Sequence, residues 1–246
     1  MTEFSFRDDS YLKSLQAHVT EVNERGGVIL DRTIFYATSG GQPGDCGLLR
    51  RENGEQIEIA TALHPDGDKG LIVHVPNDEQ PRPEIGEMLV CEIDWDRRHK
   101  LMRMHTALHI LSVLFPYPVT GGSIGAEKGR LDFNMPEVPE NIPDIQRQMN
   151  ETVQAAHMVS DEWITEEELQ AKPEMVKTMK VKPPMGQGRV RLVRIGQGDK
   201  TVDLQPCGGT HVANTSEIGP LRIGKIEKKG RENRRVNLHF AESFEI

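Results

Sequence analysis

Residues 96–115 read DRRHKLMRMHTALHILSVLF, and this stretch sets the plan of the second half of the chain. Its apolar residues recur with the three- and four-residue spacing of a helix. They are Leu101, Met104, Leu108, Leu111 and Leu114. Pro116 and Pro118 predict the end of this helix, because proline cannot continue it. On such a helix His105 and His109 lie one turn apart on the same face.

A second pair of residues with the same chemistry follows about a hundred residues later, in PCGGTH at 206–211. Its members, Cys207 and His211, flank a Gly-rich turn whose backbone can bend both side chains toward one point. Taken alone, each pair has an ordinary explanation, as a helix face or a tight corner. Together they favour a metal site, and zinc is the ion that prefers mixed Cys and His ligands in a tetrahedral shell.

The purpose of such a site stays open at this level. A zinc peptidase of the HExxH type is disfavoured, because Thr106 follows His105 where that motif requires a glutamate base. A structural zinc is the main alternative, but those sites are usually rich in cysteine. Three histidines and a single thiolate favour a centre that meets water or substrate.

The composition describes an ordinary globular protein. The chain has 246 residues, of which 36% are hydrophobic and 28% charged, with a net charge of −8. This acidic total argues against indiscriminate nucleic-acid binding, and neither DNA nor a membrane is expected as a partner. The three cysteines, at 46, 91 and 207, form no disulfide framework and suit a reducing cytoplasmic compartment.

The pattern of elements predicts an α+β fold in two domains. Residues 1–94 alternate short strands with turns, including a hairpin formed by AHVTEV and VILDRTIFY, and are expected to form a small β-barrel-like domain. Residues 95–246 are expected to form a two-layer domain of helices and sheet that carries the metal site. A second helix is predicted over 142–160, and GRVRLVRIG (188–196) is predicted as a strand with one face in water.

Several motifs of the chain resemble those of a known family. RMHTALHIL, the later CGGTH and the following EIG are similar to the editing domain of alanyl-tRNA synthetase and to its free-standing relatives, the AlaX proteins. TIFYATSGGQPGDCG resembles the family's Gly-rich segment, and IDWDRRHKLMRMHTALH resembles its approach to the first histidine pair. The resemblance covers about residues 33–236 and is typical of the medium-length type.

The resemblance implies a trans-editing hydrolase that cleaves serine, and in some relatives glycine, from mischarged tRNA-Ala. It implies Zn²⁺ as cofactor and the aminoacylated acceptor end of tRNA-Ala as partner. The zinc ligands would be His105, His109, Cys207 and His211.

The resemblance also assigns residues to the reaction. Thr106 matches a position associated with the serine hydroxyl, and Thr106 and Cys207 are the expected catalytic positions. Whether Cys207 is a full ligand or makes room for substrate stays open. Substrate binding is expected at Thr106 and at Gly40, Gly41 and Gln42 of the Gly-rich segment.

The chain departs from the family pattern at three positions. Ala37 replaces a proline and Ser39 replaces the first glycine of the Gly-rich segment. Thr120 stands where synthetase editing domains often carry a glutamine, so no role of that glutamine is carried over.

Two basic stretches are candidates for tRNA phosphate contacts. They are KIEKKGRENRR (225–235) and RRHK (97–100) with Arg103. The competing interpretation of the whole chain is a non-catalytic RNA-binding module with a structural zinc. A zinc hydrolase for a small ester or amide is disfavoured by these basic stretches.

Overall fold

The chain divides into two compact units, which the computed structural model describes over residues 2–65, 68–78, 80–178 and 188–244. The units are Met1–His99 and Lys100–Ile246. The long helix α1, Trp95–Leu114, begins in the first unit and ends in the second. It starts directly after the boundary that the sequence places at residue 94.

The first unit is built from short strands. They are β1 (Glu3–Phe4), β2 (Ser14–Val22), β3 (Val28–Leu30), β4 (Arg32–Thr33), β5 (Gly47–Arg50), β6 (Gln56–Leu63), β7 (Val73–Pro76) and β8 (Met88–Ile93).

Six of these strands close into a barrel in the order β2-β3-β7-β6-β5-β8. The predicted hairpin is confirmed, since β2 and β3 pair antiparallel with Val22 opposite Val28. In β6 the residues alternate between solvent and core, and Ile57 and Ile59 point into the barrel. The predicted N-terminal β-barrel is therefore confirmed, with a closed sheet that leaves no open edge among its six strands.

A buried histidine lies among the barrel's hydrophobic side chains. His74 is fully buried on β7 and places Nδ1 2.9 Å from the carbonyl oxygen of Val28. Its Nε2 lies 2.7 Å from the hydroxyl of Thr33, which also accepts from the N–H of Phe35 at 3.0 Å. Because the carbonyl of Val28 can only accept, Nδ1 carries the proton of the neutral ring, and Nε2 accepts from the Thr33 hydroxyl. Burial lowers the pKa of His74 to about 4.

A fully buried ion pair holds the Gly-rich segment of the first unit. The guanidinium of Arg98 pairs with Asp45 and donates to the carbonyl oxygen of Ile34 at 2.6 Å. Asp45 in turn accepts from the N–H of Tyr36 at 2.6 Å. Arg98 is 0% exposed, so the prediction that RRHK forms a phosphate-binding patch is wrong for this residue.

In the part of the second unit that the structure describes, two antiparallel sheets are accompanied by two further α-helices. Its strands are β9 (Val119–Ile124), β10 (Lys128–Asn134), β11 (Val159–Thr165), β12 (Arg189–Ile195), β13 (Asp203–Pro206), β14 (Leu221–Lys228) and β15 (Asn233–Phe240). The helices are α2 (Ile142–Gln154) and α3 (Glu166–Gln170). One sheet has the order β14-β15-β10-β9 and the other β11-β12-β13.

Helix α1 packs closely on the four-stranded sheet at a glycine of β10. A Cβ atom at Gly129 would lie 2.8 Å from the side chain of Met104 and 3.0 Å from that of Leu108. Both distances are shorter than ordinary van der Waals contact, so only glycine permits the present approach. The helix is buried on nearly all sides between Leu101 and Ser112, which explains why it lacks a strongly polar face.

Helix α2 covers the edge strand β14. The side chain of Asn150 accepts from the N–H of Leu221 at 3.0 Å and donates to its carbonyl oxygen at 3.1 Å. The predicted extension of this helix to residue 160 is wrong. Ala156 has a positive φ of 53°, and Val159 begins a strand that pairs with Ile195 of β12. The long-range pairing with β12 overrides the local helical pattern.

None of the helices in the described ranges is both long and apolar enough to cross a membrane.

We expect the buried His74 to make the protein less stable at acid pH. Its folded pKa of about 4 lies below the ordinary histidine value of 6.5, so protonation favours the unfolded chain. The stabilisation is complete above pH 6.5 and is lost as the pH falls from 6.5 toward 4, which amounts to about 2 kcal/mol between pH 7 and pH 5. Urea unfolding of the wild-type protein and of His74→Gln at both pH values measures this loss. An equal pH dependence in the two proteins would contradict the assignment.

Candidate metal centre

Four side chains that the sequence singled out meet at one point in the second unit. They are His105, His109, Cys207 and His211, and one ligand atom of each lies within 4.8 Å of all the others. The histidines are buried and Cys207 is half-buried. The arrangement is able to hold a metal ion, which confirms that the two distant pairs converge.

Helix α1 supplies the first pair from consecutive turns. The rings of His105 and His109 have centroids 5.2 Å apart, as expected for residues four positions apart on one helix face. The ring of His211 lies between them, with centroids 4.2 Å from His105 and 4.6 Å from His109. The three imidazoles therefore surround a common space.

The turn after β13 supplies the sulfur. Cys207 Sγ lies 3.4 Å from His105 Nε2 and 3.3 Å from His211 Nε2, and the N–H of Gly209 points to it at 3.4 Å. In a tetrahedral zinc shell, bonds of about 2.0 Å to nitrogen and 2.3 Å to sulfur separate the N and S atoms by about 3.5 Å. The observed distances fit such a shell, and the donor set of three imidazoles and one thiolate suits zinc.

Asp203 orients His109, the second histidine of the first pair. Its carboxylate lies 3.0 Å from His109 Nδ1 and also accepts from Gln205 Nε2 at 2.8 Å and from Lys177 Nζ. Because a carboxylate only accepts, Nδ1 carries the proton and Nε2 of His109 is left for a metal. Asp203 itself is only 3% exposed.

His109 and Asp203 each stabilise the charged form of the other. Burial opposes ionisation of both groups, but the hydrogen bonds to Asp203 and Cys207 raise the pKa of His109 to about 9. Burial likewise acts against the Asp203 carboxylate, yet His109 and Lys177 lower its pKa to about 2. The two shifts describe one charge-assisted hydrogen bond that ties helix α1 to strand β13.

Thr106 supports the second pair. Its hydroxyl is fully buried, lies 3.0 Å from the carbonyl oxygen of Met102 and 3.1 Å from His211 Nδ1, and accepts from the N–H of Val212 at 3.3 Å. When the hydroxyl donates to Met102, it accepts from Nδ1–H of His211 and leaves Nε2 of that ring facing Cys207. Its contact with a substrate hydroxyl stays a prediction.

The surroundings of Cys207 and His211 favour the protonation states in which these side chains bind a metal. Burial disfavours the Cys207 thiolate, but the nearby His105 and His211 lower the pKa of the thiol well below its usual range. Burial, together with the charge of His105, lowers the pKa of His211 well below the ordinary histidine value. A thiolate and a neutral imidazole are the forms that bind a metal.

The predicted substrate-binding glycines form a tight turn within the first unit. Gly40 and Gly41 both have positive φ, of 57° and 86°, and the N–H groups and carbonyls of Ser39 and Gln42 bond across the turn at 2.9 and 3.1 Å. Two consecutive residues with positive φ strongly favour glycine, asparagine or aspartate, and glycine adopts this conformation without steric cost. Gln42 is fully buried. The role of these three residues toward a substrate stays a prediction.

Sequence reasoning missed several residues that support the cluster. Lys177 and Gln205 received no role, and Arg191 was placed on a strand face in water, although it is only 5% exposed. One signal was available for Gln205. Residues 203, 205 and 207 alternate along DLQPC, so a strand directs their side chains to the same side as the predicted ligand Cys207.

We predict that Asp203→Asn weakens metal binding by about 10- to 100-fold, because the amide cannot hold His109 in the required tautomer as the carboxylate does. Competition with a chromophoric chelator measures the affinity. Asp144→Asn, which removes a carboxylate from an exposed ion pair on α2, is the matched control and should bind metal like the wild-type protein. Equal affinities of the Asp203→Asn variant and the control would contradict this role.

Comparison with protein families points to proteins that handle tRNA. Residues 190–237 match the family described as threonyl and alanyl tRNA synthetase second additional domain. Residues 9–97 match the family described as tRNA synthetases class II (A).

Individual relatives match along nearly the whole chain. The alanyl-tRNA editing protein AlaX-M of Saccharolobus solfataricus is 35% identical over 240 residues, covering 96% of this chain and 98% of that protein. The AlaX-M protein of Methanosarcina acetivorans is 33% identical over 243 residues, again covering 96% and 98%. The alanine–tRNA ligase of Pyrobaculum aerophilum is 37% identical over 236 residues, which cover 91% of this chain but 25% of the ligase.

Proposed function

The chain belongs to the family of alanyl-tRNA editing proteins of the AlaX-M type, and we propose that it is a zinc-dependent trans-editing hydrolase that removes serine from mischarged tRNA-Ala. The observation that carries the proposal is the convergence of His105, His109, Cys207 and His211 in a chain that matches these relatives from end to end. Aminoacyl esters are activated already, so a binding site that positions the ester needs to add only moderate chemical assistance.

Zinc is the proposed metal. Three imidazoles and one thiolate form a donor set of borderline softness, and the distances from the sulfur to the ring nitrogens of His105 and His211 fit a tetrahedral shell. With all four side chains bound, a zinc ion there would supply Lewis-acid chemistry to a substrate oxygen by accepting it as an additional ligand. We propose Cys207 as a full ligand, because its sulfur faces two ring nitrogens and accepts from the N–H of Gly209.

The protein's own part is to hold the ligands in one arrangement. Asp203 fixes the proton on Nδ1 of His109, and the Thr106 hydroxyl accepts from Nδ1 of His211. Both rings then present Nε2 to the same point. Hydrogen bonds of this kind restrict ring rotation before the substrate arrives, which is the general advantage of a preorganised site.

Serine differs from alanine by one hydroxyl group, and the proposed selection against alanine depends on that group. A site that bonds the serine hydroxyl leaves polar groups unpaired when alanine enters, and such sites reject the analogue strongly. We propose that Thr106 serves this selection by fixing His211 beside the metal. Its direct contact with serine requires the hydroxyl to release one of its present partners, and Gly40, Gly41 and Gln42 remain proposed substrate contacts.

The proposed surface for tRNA phosphates is one face of the four-stranded sheet. In its register Arg222 of β14 and Lys128 of β10 both lie opposite His239 of β15. Arg222 and Lys128 are exposed, and burial together with these two cations lowers the pKa of His239. Arg103 is excluded from this surface, because it donates to the carbonyl of Ile218 at 2.9 and 2.7 Å.

Deacylation of purified tRNA-Ala tests the proposed reaction. We expect the zinc-loaded protein to hydrolyse serine-charged tRNA-Ala at least about 100-fold faster than alanine-charged tRNA-Ala, since a site that bonds a hydroxyl excludes the analogue lacking it. Removal of the metal with a chelator should abolish the reaction, and added zinc should restore it. Equal rates on the two substrates, or activity without metal, would overturn the proposal.

The competing function, an RNA-binding module with a structural zinc, predicts a different result for His109→Ala. A catalytic centre loses activity while the fold survives, whereas a structural zinc is required for folding. Circular dichroism and thermal unfolding of this variant separate the two cases.

We predict that the double variant Lys128→Gln, Arg222→Gln weakens binding of uncharged tRNA-Ala and reduces the slope of log affinity against log salt by about 1 to 2 units. Filter binding over a series of salt concentrations measures both quantities. The matched control is Arg147→Gln, which removes an exposed cation paired with Glu151 on α2. A variant with the affinity and slope of this control would place the phosphates elsewhere.

A further inference from the structure

Arg191 occupies an unexpected position on strand β12. The alternation of basic and apolar residues in GRVRLVRIG places it on a face in water, yet its side chain is only 6% exposed. A guanidinium remains charged at all ordinary pH values, so burying it requires partners for its N–H groups. The identity of these partners indicates what the residue does.

One edge of the guanidinium pairs with strand β11. Nε and Nη2 of Arg191 donate to the two carboxylate oxygens of Asp161, at 2.9 and 2.7 Å. This two-point contact fixes the plane and the direction of the guanidinium, as bidentate pairs of arginine and carboxylate do. Asp161 is about one-third exposed, and the pair therefore extends from the surface to the interior.

The opposite edge reaches the turn that carries the sulfur ligand. Nη1 of Arg191 donates to the carbonyl oxygen of Cys207 at 3.1 Å and to that of Gly209 at 2.7 Å. The main chain of Arg191 adds a third bond, because its carbonyl oxygen accepts from the N–H of Cys207 at 3.1 Å. One residue thus holds the turn on both sides of Cys207.

These bonds compensate for the conformation of the turn. The carbonyls of Cys207 and Gly209 point to one donor group, a direction that the tight Gly-rich turn permits. The described strands offer them no partner in this direction, so a side chain has to supply the hydrogen bonds. Without the guanidinium, the carbonyls of the buried Gly209 and of the half-buried Cys207 would both lose this partner, and the turn would relax. A change in the turn moves Sγ, which faces His105 and His211 at 3.4 and 3.3 Å.

We propose that Arg191 is a positioning residue of the metal centre, which fixes the Cys207–Gly209 turn so that the thiolate meets the three imidazoles. The proposal deepens the proposed function, because it concerns the same centre. It assigns to Asp161 the role of aiming the guanidinium. The contacts of Arg191 described above reach Asp161 and the backbone of the turn, so it acts through that backbone.

Metal affinity and the cobalt spectrum of Arg191→Met test the proposal. We expect Zn²⁺ affinity, measured by chelator competition, to fall about 10- to 100-fold, as for other residues that orient metal ligands. Co²⁺ bound to the variant should lose intensity in the near-ultraviolet band that arises from thiolate coordination, relative to the visible bands that report all four ligands. Arg191→Lys, which retains the charge but not the forked geometry, should give an intermediate loss.

Arg194→Met is the matched control. Arg194 lies on the same strand and also pairs with a carboxylate of β11, Glu162, but its other donor reaches Thr201 and not the turn. Its Zn²⁺ affinity and cobalt spectrum should stay within about twofold of the wild-type values. Wild-type affinity and spectrum in Arg191→Met would overturn the proposal, as would equal losses in the two methionine variants.

Asp161→Asn keeps the test decisive if Arg191→Met does not fold. The amide breaks the bidentate pair but leaves Arg191 in place, so we expect a smaller loss of Zn²⁺ affinity, of about threefold to tenfold. Unchanged affinity in both Asp161→Asn and Arg191→Lys would overturn the proposal. Neither the affinity nor the cobalt spectrum requires tRNA, so these outcomes are independent of whether serine-charged tRNA-Ala is the substrate.

Discussion

The hydrogen bond between His109 and Asp203 joins the two parts of the metal centre. It links a helix to a strand about a hundred residues further along the chain, and both partners are buried. Burying a carboxylate requires compensation, and here the imidazole, Lys177 and Gln205 supply it. The proton of the imidazole is fixed at the same time, which leaves the other ring nitrogen for coordination. Stability and ligand orientation therefore depend on the same contact.

Two buried arginines elsewhere in the protein are also compensated by a carboxylate partner. Arg98 pairs with Asp45 and holds backbone carbonyls next to the Gly-rich segment of the first unit. Arg191 pairs with Asp161 and holds carbonyls of the turn in the second. In each case the carboxylate orients a planar fork of donors, and the fork fixes an irregular stretch of chain that lacks regular backbone pairing. Irregular segments in this protein are thus ordered by side chains.

The sequence predicts the parts of this structure that depend on local chemistry. Spacing of four residues on a helix brings His105 and His109 together, and the glycines after Cys207 allow the second pair to bend toward them, so the ligand set was accessible. The burial of Arg191 could not be predicted from the sequence, because it depends on a carboxylate of another strand and on carbonyls of a distant turn. The end of α2 was misplaced for a similar reason, since Val159 pairs with a strand that begins 30 residues later. Local patterns carry no information about such partners.

The missing side chain of Gly129 has a consequence for how this domain can vary. Its absence sets the height at which helix α1 rests on the sheet, because Met104 and Leu108 occupy the space that a methyl group would fill. His105 and His109 lie on that helix, whereas Cys207 and His211 lie in the irregular stretch that follows β13. A methyl group there would force either the side chains of Met104 and Leu108 or the helix itself to shift, and a shift of the helix would move one pair of ligands relative to the other. The close packing of helix α1 at Gly129 thus influences the geometry of the centre, although this glycine contacts none of the ligands' donor atoms.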